Sequence, residues 1–173
     1  PDNTSSFFQD TQLVRFFNQV QRELNMTVIE AYENYLVTEA DLNISPTDVY
    51  TLPTATIKIL RVEDLRNSPA TEIYPISLNE KDLYPGAFLR NLINQGNPDT
   101  YFLKGNSIVF RPIPNFTQNS AIRIYYAKRL SDIVATTGTA GITSVSEIPQ
   151  EYHEALAWGI VAKAWMQQQT DPT

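Results

Sequence analysis

In the stretch DTQLVRFFNQVQRELN the apolar residues fall at Leu13, Phe16, Phe17, Val20 and Leu24. Those spacings place them along one side of a helix turning every 3.6 residues, and Asp10 or Thr11 stands where a cap belongs. The pattern predicts a helix over 10–25. The next stretch, MTVIEAYENYLVTEADLNIS, mixes β-branched and aromatic residues with Ala, Glu and Leu; it reads as a loop followed by a strand. Then the rhythm changes. DVYTLP, TIKILRV, TEIYPIS, TYFLKGNSIVFRPIP and AIRIYYAKRL are short, rich in Ile, Val, Tyr and Phe, and separated by turn residues, which predicts an antiparallel sheet. The clearest hairpin turns at Gly105 and Asn106, two residues that accept the positive φ angles of a two-residue turn. Pro112 and Pro114 keep its outgoing strand from being a central one. SLNEKDLY and GAFLRNLINQ read as short helices or turns, and VATTGTAGITSVSE, residues 134–147, as a flexible connection.

After that connection the helical period returns in IPQEYHEALAWGIVAKAW, residues 148–165. Pro149 suits a first helical turn, and Glu147, Glu151 and Glu154 suit the positive end of the helix dipole. Tyr152, Leu156, Gly159 and Lys163 follow one side, and Ala155, Trp158, Ala162 and Trp165 its neighbour, so the apolar arc is wide. The expected architecture is α+β: a single domain over 1–173 whose terminal helices, 10–25 and 148–168, form a small bundle, with an antiparallel β-rich insertion at about 35–133.

The terminal helix carries the chain's one histidine, His153, yet a metal site needs ligands at i±3 or i±4. Those positions hold Gln150, Pro149, Leu156 and Ala157. Glu154 points about 100° away around the helix. His153 is therefore read as structural or solvated. The small residues around Trp158 and Trp165, which lie seven apart on one face, mark a helix built to pack. There is no cysteine for a disulfide, a thiolate or a sulfur-ligated metal. No G-x-S-x-G elbow or P-loop occurs, KGNS is a hairpin turn, and the acids of EDLR and NEKD read as solvated surface. No enzyme activity, cofactor or metal is expected.

With 173 residues, 42% of them hydrophobic and 18% charged, the composition is that of a globular chain with a substantial core. No apolar run is long enough to span a bilayer, so no membrane partner is expected, and no basic-then-apolar leader follows Pro1. A net charge of −6 argues against binding to a phosphate backbone.

Taken in order, LVRFFNQVQREL, the Y-x-L-P of Tyr50 to Pro53, the strand ending in Arg61-Val62, the hairpin from Gly105 through Pro114, the paired Tyr125 and Tyr126, and Ile148 through Trp165 resemble the head–tail connector adaptors of tailed bacteriophages. The resemblance implies a non-enzymatic virion subunit, made in the host cytoplasm and placed at the neck. There a homo-oligomeric ring, usually of twelve copies, joins the portal protein to tail or nozzle proteins and lets genomic DNA pass without specific binding. An acidic protein that repels the duplex suits such a channel. Tyr152, Trp158, Gly159 and Trp165 on the terminal helix, with Gly105 and Asn106 at the hairpin tip, are the candidate assembly residues. A second reading is a β-rich binding module that recognises carbohydrate or a protein partner through exposed aromatics.

Overall fold

The computed structural model describes residues 10–32, 34–79, 95–134 and 147–170. The protein is mixed α+β, with two α-helices and mostly antiparallel sheets among the described residues. It divides into two compact units: Pro1–Tyr35 together with Arg129–Thr173, and Leu36–Lys128.

The first unit pairs α1 (Asp10–Ala31) with α2 (His153–Thr170). Helix α1 runs six residues beyond the predicted end, through a stretch read as loop. The reason is burial. Gln21, Asn25, Val28 and Ile29 are all buried, at the i, i+4, i+7, i+8 spacing that continues one helical face. Burying a valine or isoleucine stabilises by about 1.5–3 kcal/mol, whereas their β-branching costs the helix well under about 1 kcal/mol each. The buried face also differs from the predicted stripe: Val14, Phe16 and Val20 are buried, while Leu13 is exposed.

Two polar residues on that face hold a distant segment. Asn18 Nδ2 donates to the Ile133 carbonyl at 2.8 Å and Asn18 Oδ1 accepts from the Ile133 N–H at 2.9 Å, so one side-chain amide mimics a strand partner. Gln21 Nε2 donates to the Ser131 carbonyl at 2.8 Å. These bonds satisfy backbone groups that burial would otherwise strand. Arg22 pairs with Asp132 beside them.

The second unit contains ten strands among its described residues. One sheet has the order β1 (Val37–Ile44), β10 (Gln118–Lys128), β3 (Thr56–Asp64), β4 (Thr71–Glu72) and is antiparallel throughout. A second has the order β2 (Val49–Thr51), β8 (Ser107–Arg111), β7 (Thr100–Lys104), β5 (Tyr74–Pro75). Both sheets contribute to one core, in which Ile44, Val62, Ile122 and Ile124 of the first meet Ile108, Phe110 and Tyr101 of the second.

Two pairings depart from the expected antiparallel pattern: β5 runs parallel to β7, and β6 (Gln95–Gly96) parallel to β9 (Ile113–Pro114). TEIYPIS, read as one strand, changes sheet in its middle. Ile73 N–H donates to Val62 of the first sheet, and Tyr74 and Ile76 donate to Asp99 and Tyr101 at the second. Parallel bonding uses alternate residues, so Pro75 lies at a position where no N–H is needed. Residues 80–94, which include most of SLNEKDLY and GAFLRNLINQ, and the bulk of the 134–147 connection lie outside the described residues.

EDLR is not the solvated surface its composition suggests. Asp64 is buried and accepts from Arg66 Nε at 2.9 Å and Nη2 at 2.5 Å. Arg66 in turn lies 3.5 Å from the centroid of the Phe116 ring. Burial raises the Asp64 pKa, but the side-chain and backbone hydrogen bonds and the charge of Arg66 outweigh it and leave it below the ordinary carboxylate value.

Candidate assembly surfaces

Helix α2 begins from a fixed platform. Gln150–Tyr152 forms one 3-10 turn, closed by Tyr152 N–H donating to the Pro149 carbonyl at 3.0 Å, so the α-helix proper starts later than the predicted residue 148. Ile148 is buried, and its carbonyl lies 2.9 Å from His153 Nε2. His153 thus ties the start of α2 to the residue that leads into it. Among the described residues no group of three His, Cys, Asp or Glu side chains is placed to hold a metal ion.

Tyr35, the last residue of the first crossing between units, returns to this platform. Its hydroxyl donates to Glu151 Oε1, and its ring meets that of Tyr152 edge-on at 5.8 Å. The hydrogen bond, above all, pushes the Tyr35 pKa up to about 12 and lowers that of Glu151. Tyr152 is consequently half-buried inside its own subunit.

Along α2 the two sides have opposite fates. Leu156 and Ala164 are buried, with Gly159, Ile160, Lys163 and Gln167 half-buried between and beyond them. This side faces α1. Lys163 Nζ meets Glu23 Oε1 at 2.7 Å. At Gly159 the helices come so close that a Cβ would lie 2.5 Å from Val20 Cγ1. Gly159, a candidate for contact between subunits, is therefore committed to packing within its own.

Two residues on from Leu156, and so about 200° around the helix, stands Trp158, which is 67% exposed; Trp165 and Met166 are each 64% exposed and Val161 45%. Ala155 and Ala162 are exposed among them. These side chains form a continuous apolar strip on the face turned from α1. Two large indoles thus stand exposed on a helix whose opposite side is packed.

At the hairpin, Lys104 pairs with Ser107 across a two-residue turn, as the sequence predicts. Gly105 alone has a positive φ, 59°; Asn106 does not share it, so the turn is of the kind that asks for glycine at its first central position only. Both residues are exposed. Most strand aromatics are core: Tyr50, Tyr101, Phe102, Phe110 and Tyr126 are buried and Tyr74 is exposed. Beside them Ile59, Ile76, Leu78 and Leu103 line an open groove of about 390 Å³.

Among the described residues, no helix is long and apolar enough to cross a membrane. The chain thus combines a closely packed helix pair, one side of α2 exposed and apolar, with a β unit, and both read as packing framework. The chain belongs to the SU10 adaptor protein family, whose family model matches residues 2–173. It is a bacteriophage structural adaptor and a component of the virion. No curated protein matches the chain.

Proposed function

We propose that the protein is a subunit of a homo-oligomeric ring at the virion neck, twelve copies in number, that joins the portal protein to the tail or nozzle proteins and extends the DNA channel. The single observation that carries this reading is the exposed strip Trp158–Val161–Ala162–Trp165–Met166 on α2. A neighbour in a head-to-tail ring can cover this strip, since a heterologous interface uses two different patches on each subunit. The exposed Gly105–Asn106 tip is a second contact with neighbouring virion proteins. The net charge of −6 lets a duplex slide past without being held. In this reading the two units act together as one domain, the β unit being an insertion in the helical pair. Native mass measurement and particle reconstruction test it: a closed ring with α2 at the subunit boundary is expected. A protein that stays monomeric at every concentration and fails to join a portal would overturn it.

A further inference from the structure

The order β1-β10-β3-β4 leaves β1 at the end of its sheet, with β10 on one side and no strand on the other among the described residues. Strand β1 is eight residues long, whereas the other sheet ends, β4, β2, β5, β6 and β9, have two or three. Which of its backbone groups are free follows from the register. Lys128 N–H donates to the Leu36 carbonyl, and Val37 stands opposite Ala127. In an antiparallel ladder bonded and non-bonded pairs alternate, so Leu36, Thr38, Ala40 and Leu42 turn their backbone groups toward β10. Val37, Glu39 and Asp41 turn theirs outward. The neighbouring ladder agrees: Leu65 N–H donates to Ala121, which puts Arg123 and Tyr125 in bonded pairs with β3, the reverse parity on β10.

The side chains specify what could pair there. On the solvent face β1 presents Val37, Glu39, Asp41 and Asn43; on the other face Ala40 and Leu42 pack against the core and Thr38 is half-buried. Arg123 engages Asp41 at 2.8 Å and Glu39 at 3.5 Å, so one cation serves two carboxylates and an acidic excess remains. The edge ends at an irregularity between Leu42 and Ile44, where Asn43 Oδ1 accepts from Ser120 N–H at 3.0 Å. A second copy of β1 is a poor partner: antiparallel pairing along the full strand sets Glu39 against Glu39 or Asp41, and like charges directly opposite destabilise a ladder. The other sheet ends among the described residues, β2, β4, β5, β6 and β9, carry no Lys or Arg.

We propose that the outer edge of β1 accepts an added strand from a different protein. The incoming segment is extended, with apolar residues beside Thr38, Ala40 and Leu42 and alternating Lys or Arg beside Glu39 and Asp41. Main-chain bonds to Val37, Glu39 and Asp41 supply the pairing, and the alternation supplies the selection.

The test uses the full chain and two capped octapeptide probes, one of alternating Val and Lys, the other of alternating Val and Glu, with amide exchange read by NMR. The Lys probe should slow exchange at Val37, Glu39 and Asp41 and leave Thr38, Ala40 and Leu42, already bonded to β10, unchanged; the Glu probe should do neither. E39K/D41K should shift the preference toward the Glu probe by about tenfold. If that variant fails to fold because Arg123 loses both partners, E39K alone keeps the Arg123–Asp41 bond and should give a smaller shift of the same sign. In the assembled virion the same three amides should exchange more slowly than in the free protein. Equal protection by both probes, protection without regard to parity, or no protection at the three amides up to the solubility limit of the Lys probe would overturn the proposal. So would equal exchange in virion and free protein.

Discussion

Replacing Gly159 with alanine tests whether the close approach of α2 to α1 holds the helical unit together. The added Cβ would lie 2.5 Å from Val20 Cγ1 and 3.2 Å from Cγ2, the nearer about 1 Å inside the separation at which carbon atoms attract. Val20 is buried in a helix, where a valine has essentially one rotamer, so the backbones must part. Overpacking of this kind costs about 1–3 kcal/mol, while alanine gains about 1 kcal/mol over glycine in a helix interior. The net loss for G159A is thus about 0–2 kcal/mol. In a V20A background both offending methyls are gone and the Val20 Cβ is 3.4 Å away, an ordinary contact. There G159A should stabilise by about 1 kcal/mol. The coupling across the double-mutant cycle is therefore about 1–3 kcal/mol. Urea unfolding of the four proteins at one concentration, low enough to keep the subunit unassembled, measures it. Additivity within about 0.5 kcal/mol would refute the contact.

Trp158→Ala and Trp165→Ala should each change the unassembled subunit's stability by no more than about 0.5 kcal/mol, as exposed substitutions do, while sharply lowering ring occupancy; a large loss of thermal midpoint without an assembly defect would contradict the proposed interface. The β unit should weaken as pH falls below the ordinary aspartate range. Asp41, through its hydrogen bond to Arg123, and Asp64, against its burial, are both held below the usual value. Their contribution is therefore complete above the unfolded-state pKa and lost as pH drops through the depressed native values. Arg66→Met should remove the Asp64 part of that slope, which urea titration across pH 2–6 would show as a flatter curve. Gly105→Ala should cost about 1–2 kcal/mol from backbone strain alone, since nothing lies within 4 Å of the new Cβ; thermal melts of the two proteins check it.

Local spacing determined much of this protein. The 3.6-residue period marked both helices, the short β-branched runs marked most strands, and Gly105-Asn106 marked the tight hairpin, because each depends only on residues near one another in the chain. What the tertiary structure decided were questions of partnership. Helix α2 is apolar around most of its circumference, so its period alone does not say which side is covered; the approach of Gly159 to Val20 chose Leu156 and Ala164, and left Trp158 and Trp165 outside. The extra turns of α1 exist because Val28 and Ile29 are buried, and its Gln21 is buried because the Ser131 carbonyl, 110 residues later, accepts its side-chain amide. Tyr35 and Glu151, 116 residues apart, and the outward parity of β1 likewise arise only when distant segments meet. A periodic pattern encodes that a face will be buried; the identity of what buries it depends on side chains that folding brings from elsewhere.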